Sequence, residues 1–68
     1  MEIPIVVNGV ERTVLPQQTV LDLLHSLGLE PARVAVELNR RIVKQALWSD
    51  TVIEPGARLE IVQFVGGG

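Results

Sequence analysis

Apolar and polar residues alternate with a period of two near both ends of the chain, and once, in between, with the period of a helix. Ile3, Ile5 and Val7 alternate with Glu2, Pro4 and Val6, which predicts a first strand with its odd-numbered side chains inward. Pro4 has no amide hydrogen for a ladder, so its nitrogen must face away from a partner strand. Asn8-Gly9 follows, a pair suited to the positive φ angles of a type I′ hairpin turn. Val10 to Leu15 is the returning strand; Val10 and Val14 lie on one face and Leu15 on the other, which leaves its parity open. Thr19 opens a helix, with Asp22 in the position usually held by Glu in a capping box. Val20, Leu23, Leu24 and Leu27 make one apolar stripe, and Gly28 ends it. A helix of about ten residues is too short to stand alone and needs a sheet to lie on.

Beyond the connector Glu30-Pro31-Ala32, Arg33 to Asn39 reads as a third strand with Val34, Val36 and Leu38 inward. Asn39-Arg40 turns the chain into a short strand, Arg41-Ile42-Val43. Gln45 to Asp50 shows no period and predicts a one-turn helix or an irregular loop, with Trp48 as a lid on the edge of the core. Glu54-Pro55-Gly56-Ala57 places Pro and Gly at the central positions of a type II turn. In the last strand a glutamate is expensive to bury, so Glu60, Val62 and Phe64 belong to the solvent face and Leu59 and Ile61 to the core. The expected fold class is α+β: a mixed four- or five-stranded sheet with one helix packed across one face. The last strand should lie beside the first and parallel to it, which is a β-grasp arrangement. Residues 1–65 form the single domain, and 66–68 a flexible glycine tail.

Composition narrows the function. The chain has 68 residues, no cysteine and one histidine, His25, read as a surface residue; disulfides and a conventional zinc site are excluded. Net charge is −2 and the basic residues are scattered, so no stripe exists to track nucleic acid. No apolar run approaches the ~20 residues that span a bilayer. Met1-Glu2-Ile3-Pro4 lacks the basic start of a secretory leader, so a cytoplasmic protein without membrane contact is expected.

The chain carries no phosphate-cradling glycine loop, no nucleophile–base pair and no acid/base dyad. It is therefore expected to bind no cofactor and to be a substrate or carrier for other enzymes. The chemistry on offer is a carboxylate on the run Gly66, Gly67, Gly68. Without Cβ atoms such a run threads a narrow channel, and three residues reach roughly 10 Å at ~3.3–3.6 Å each. Ordering them costs about 1–2 kcal/mol per residue, so the folded body must supply binding energy. Val62, Phe64 and Val65, just ahead of the glycines, are the expected docking surface. In a partner's site the carboxylate of Gly68 would attack the α-phosphate of ATP, giving an acyl-adenylate open to a sulfur nucleophile.

Several stretches carry a resemblance: Val7-Asn8-Gly9, Thr19-Val20-Leu21-Asp22-Leu23-Leu24, Val34-Ala35-Val36-Glu37-Leu38-Asn39, Ile42-Val43, Trp48 and Leu59-Glu60-Ile61-Val62, through Phe64-Val65 to the glycines. In this order and spacing the chain resembles the sulfur-carrier family of thiamine biosynthesis (ThiS type), a ubiquitin-like β-grasp family. The resemblance implies that Gly68 is adenylated by an E1-like adenylyltransferase that uses ATP. It further implies conversion to a thiocarboxylate, with sulfur from a cysteine desulfurase-type donor, and delivery of that sulfur to thiazole synthase. The lack of cysteine agrees, since sulfur then rides only on the terminus. Two alternatives share the fold: the small subunit of molybdopterin synthase, with a different acceptor, and a protein-conjugating ubiquitin-like modifier, in which Gly68 ends on a lysine.

Overall fold

A computed structural model describes residues 1–64. Its elements, in chain order, are β1 (Ile3–Val7), β2 (Val10–Val14), α1 (Val20–Ser26), β3 (Val34–Leu38), β4 (Arg41–Val43) and β5 (Arg58–Gln63). The strands form one five-stranded sheet in the order β2-β1-β5-β3-β4. The last strand sits in the middle, parallel to β1 and antiparallel to β3. This is the β-grasp arrangement expected from the sequence.

Local chemistry accounts for each turn. Asn8 and Gly9 have φ of 50° and 79°, and Asn39 and Arg40 have φ of 51° and 70°, so both two-residue hairpin loops take the primed turn that matches strand twist. Gly56, with φ of 82°, occupies the position of the Glu54–Ala57 turn that requires it, and the Ala57 amide closes the turn on the Glu54 carbonyl at 3.1 Å. Pro4 is accommodated by an offset. The amides of Val6 and Asn8 donate to Ala57 and Leu59 across the β1–β5 seam, each at 2.9 Å, and alternation turns the Pro4 nitrogen to the same flank. Pairing with β5 begins only at Val6, so the missing donor leaves no strand carbonyl waiting.

The helix starts and stops where its caps dictate. The Thr19 hydroxyl accepts from the Asp22 amide at 3.1 Å, and the Asp22 carboxylate accepts from the Thr19 amide at 2.9 Å, a complete capping box. The bond from the Thr19 amide first, and the Thr19 hydroxyl beside the carboxylate second, hold the Asp22 carboxyl below its ordinary 3.8. At the other end the amides of Gly28 and Leu29 donate to His25 and Leu24 carbonyls, both at 3.0 Å, closing a Schellman motif. The helix is thus seven residues long, shorter than the apolar stripe suggests, because Leu27 is already the C-cap. Val20, Leu23 and Leu24 are buried and His25 is exposed.

The core lies between α1 and one face of the sheet, where Ile5, Val7, Val34, Val36, Leu59 and Ile61 meet the helix. Trp48 is not a lid on its edge. It is 2% exposed, and its indole nitrogen donates to the Val43 carbonyl at 2.8 Å, so the ring is core and its polar atom is satisfied. The 3-10 helix Gln45–Asp50 hides only this residue, which is why the stretch shows no period. The third strand begins one residue later than the sequence suggests, because Pro31–Arg33 forms a 3-10 turn. The edge strand β2 buries only Val14, and Arg12 stands opposite Ile5 on the helix side. A charge there discourages pairing with a foreign strand. Among the described residues no helix is long and apolar enough to cross a membrane.

Candidate functional site

The strand that leads to the glycines presents two different faces. Leu59 and Ile61 are buried under the helix, while Glu60, Val62 and Phe64 are exposed, as the alternation predicts. Val62 is 58% exposed and Phe64 55%. Beside them on the open face Val62 pairs with Ala35 of β3, and the next row runs Ile42–Glu37–Glu60 across β4, β3 and β5. Ile42 is 78% exposed. A shallow hollow of about 120 Å³ lies among Ala35, Glu37, Ile42, Glu60 and Val62. The open face near the strand's exit is therefore an apolar surface interrupted by two opposed carboxylates. Like charges directly opposite on neighbouring strands destabilise a sheet. Among the described residues neither has an ion-pair partner, since the one salt bridge joins Arg33 to Glu30 at 3.1 Å.

A larger open hollow of about 510 Å³ lies beside Pro4, Ile5, Arg12 and Gly56. The parallel register places it at the start of β5. At the usual rise per residue it is roughly 20 Å from Phe64.

Two asparagines bracket β5. Asn39 uses its main-chain amide on the Arg58 carbonyl at 2.7 Å, and its side-chain oxygen accepts from the Arg58 amide at 2.9 Å. Asn8 does the same kind of work nearer the exit. Its side-chain oxygen accepts from the Ile61 amide at 2.7 Å, and its side-chain nitrogen donates to the Ile61 carbonyl at 3.1 Å. Had β1 continued, its main chain would have made those two bonds. The carboxamide replaces the strand that has turned away.

A family model described as the ThiS family matches residues 5–68. The chain belongs to the ThiS family. It is 31% identical over 51 residues to the sulfur carrier protein ThiS of Escherichia coli K12, covering 75% of this chain and 77% of that one. It is 42% identical over 64 residues to a thiazole synthase of Paramagnetospirillum magneticum, covering 94% of this chain. The chain spans about a fifth of the length of the thiazole synthases it matches, 20% and 19% of two of them. A crystal structure of the ThiS thiamine biosynthesis protein from Geobacter metallireducens superposes with a TM-score of 0.82 at 30% identity, covering 97% of this chain and all of that one. The ubiquitin-like β-grasp fold is the fold of this family.

Of the residues singled out from the sequence, the structure brings Val62 and Phe64 together on the open face of this ThiS-family sheet. Val65, Gly66, Gly67 and Gly68 lie outside the described residues. Sequence reasoning did not find Ile42, Ala35 and Glu37 as neighbours on that face, nor the bracket made by Asn8. The signal for Asn8 was in plain sight: asparagine occupies the first turn position of both hairpins, where glycine satisfies φ equally well but carries no side-chain carboxamide.

Proposed function

We propose that this chain is a sulfur carrier for thiazole formation in thiamine biosynthesis, with the carboxylate of Gly68 as its working group. An E1-like adenylyltransferase docks on the open face, and the glycines enter its ATP site. The carboxylate attacks the α-phosphate and pyrophosphate leaves. The terminal sulfur of a desulfurase-type donor's persulfide then displaces AMP, giving an acyl disulfide, and a thiol cleaves its S–S bond to release the thiocarboxylate that thiazole synthase consumes. ATP is bound by the partner and not by this chain, which acts as co-substrate and not as catalyst.

The observation that carries this reading is the apolar pair Val62 and Phe64 on the open face of the strand that runs toward the glycines. A side-chain-free tail contributes little affinity of its own, so an apolar docking surface beside it is what the reaction requires. The pair Glu37 and Glu60 in the same face fits a partner surface of basic and apolar side chains. Family membership and the likeness to a thiazole synthase support the choice of acceptor.

The test is incubation with ATP and a ThiS-activating enzyme, followed by intact-mass analysis. We expect an acyl-adenylate at Gly68 and, with a sulfur donor present, a sulfur-for-oxygen mass shift. Deleting Gly67 and Gly68 should leave the fold intact and abolish both products. A truncated chain that still supports sulfur transfer would remove the terminal carboxylate from the mechanism.

A further inference from the structure

The end of β5 is held by unequal means on its two flanks. On the β3 side, main-chain pairing runs from Leu38–Leu59 to Val34–Gln63, and the Phe64 amide still reaches the Arg33 carbonyl at 2.7 Å. On the β1 side, strand pairing stops at Val7–Leu59, because the chain turns away at Asn8-Gly9. Past Leu59, among the described residues, that flank is held by the Asn8 carboxamide on both main-chain polar atoms of Ile61. A strand gripped on one flank only is free to swing about that seam.

We infer that Asn8 is a positioning residue for the reaction at the tail, fixing the direction in which β5 leaves the sheet. The inference rests on the sulfur-carrier reading above for its consequence, though not for its geometry. Carboxamide chemistry fits the task. Ile61 offers one donor and one acceptor, and asparagine is a short side chain that answers both and tolerates positive φ. Aspartate tolerates the turn and still accepts from the Ile61 amide, but it has no hydrogen for the Ile61 carbonyl. Glycine keeps the turn and loses both bonds.

The molecule supplies its own control. Asn39 clamps the start of β5 from an equivalent turn position, far from the exit. Asn8→Gly and Asn39→Gly each delete one carboxamide clamp and leave a residue at ease with the turn. A role confined to the fold predicts that both variants lose stability, Asn8→Gly the more because it loses two side-chain bonds against one, with order at Gln63 and Phe64 kept. If Asn8 aims the tail, that order is lost in Asn8→Gly alone.

The experiment compares wild type, Asn8→Gly, Asn8→Asp and Asn39→Gly by backbone relaxation and by steady-state adenylation with a ThiS-activating enzyme. We expect order parameters at Gln63 and Phe64 to fall in Asn8→Gly and to be unchanged in Asn39→Gly. Adenylation kcat/KM should drop by about tenfold or more in Asn8→Gly, the scale on which ångström-level misplacement acts. It should stay within about twofold of wild type in Asn39→Gly, with Asn8→Asp between. Equal losses in both glycine variants, or unchanged order at Gln63 and Phe64 in Asn8→Gly, overturn the inference. A wild-type chain that is never adenylated sinks the sulfur-carrier reading instead, and the relaxation comparison still decides whether Asn8 sets the strand's exit.

Discussion

Leu59 and Val62 lie in the same strand, three residues apart, on opposite faces of one sheet. Leu59 is 0% exposed and packs in the core; Val62 is 58% exposed on a face with no covering layer among the described residues. A fold of this size needs all the apolar burial it can get, yet it leaves Val62, Phe64 and Ile42 in water. One face is used in folding the chain, and the other is the face we propose docks a partner. The difference separates two kinds of sequence constraint that a hydropathy profile alone does not distinguish.

The largest effect should come from the buried face. Leu59→Ala removes a fully buried side chain near the start of the middle strand and should destabilise the domain by about 2–5 kcal/mol. Val62→Ala, in the same strand, should stay within about 0.5 kcal/mol of wild type. Urea unfolding followed by tryptophan emission measures both, since Trp48 is buried in the native state. Comparable losses in the two variants would erase the distinction between the faces.

The open face should respond in the opposite pattern. Phe64→Asp leaves the core untouched and should change stability by no more than about 0.5 kcal/mol. It should weaken binding to the activating enzyme by about 2 kcal/mol, if Phe64 is an anchor of the docking surface. Calorimetric titration against that enzyme, beside a urea melt, reads the two quantities separately. Unfolding without a binding defect would place Phe64 in the fold and not in the interface.

Much of this division is legible in the sequence, and the parts that are not have physical reasons. In β5 the costly burial of Glu60 fixes the parity, and parity alone assigns Leu59 and Ile61 inward and Val62 and Phe64 outward. The hairpin at Asn8-Gly9, the capping box at Thr19 and the stop at Gly28 are local events, readable because local chemistry decides them. The parity of β2 is hidden because an edge strand under no helix has little to bury, and its inner face carries Arg12. Trp48 is hidden for another reason: a 3-10 helix that contributes one side chain to the core leaves no repeat to detect. The neighbourhood of Ile42, Glu37 and Glu60 follows from register between strands distant in sequence, which no local pattern encodes. The Asn8 bracket spans 53 positions, so the turn marks the residue while its partner Ile61 stays hidden for the same reason.

The smallest expected effect tests why the open face carries opposed carboxylates at all. Glu37 and Glu60 face each other across β3 and β5, a placement that costs stability on the order of 0.2–1 kcal/mol. Glu60→Gln keeps the shape and removes one charge, so the domain should gain that amount at low salt. Glu37→Gln should give a similar gain, and the double variant little more than either, because one substitution already ends the repulsion. In 1 M salt, where the screening length is about 3 Å, the gain should shrink. Docking should move the other way, with Glu60→Gln more stable but slower to engage a basic partner surface. A variant that gains both stability and docking would mean that the carboxylates serve neither, and the acidic row would lose its place in the interface. Stability and association moving in opposite directions is what a face kept for a partner predicts, because a charge unfavourable to the isolated sheet is matched only when the second surface arrives.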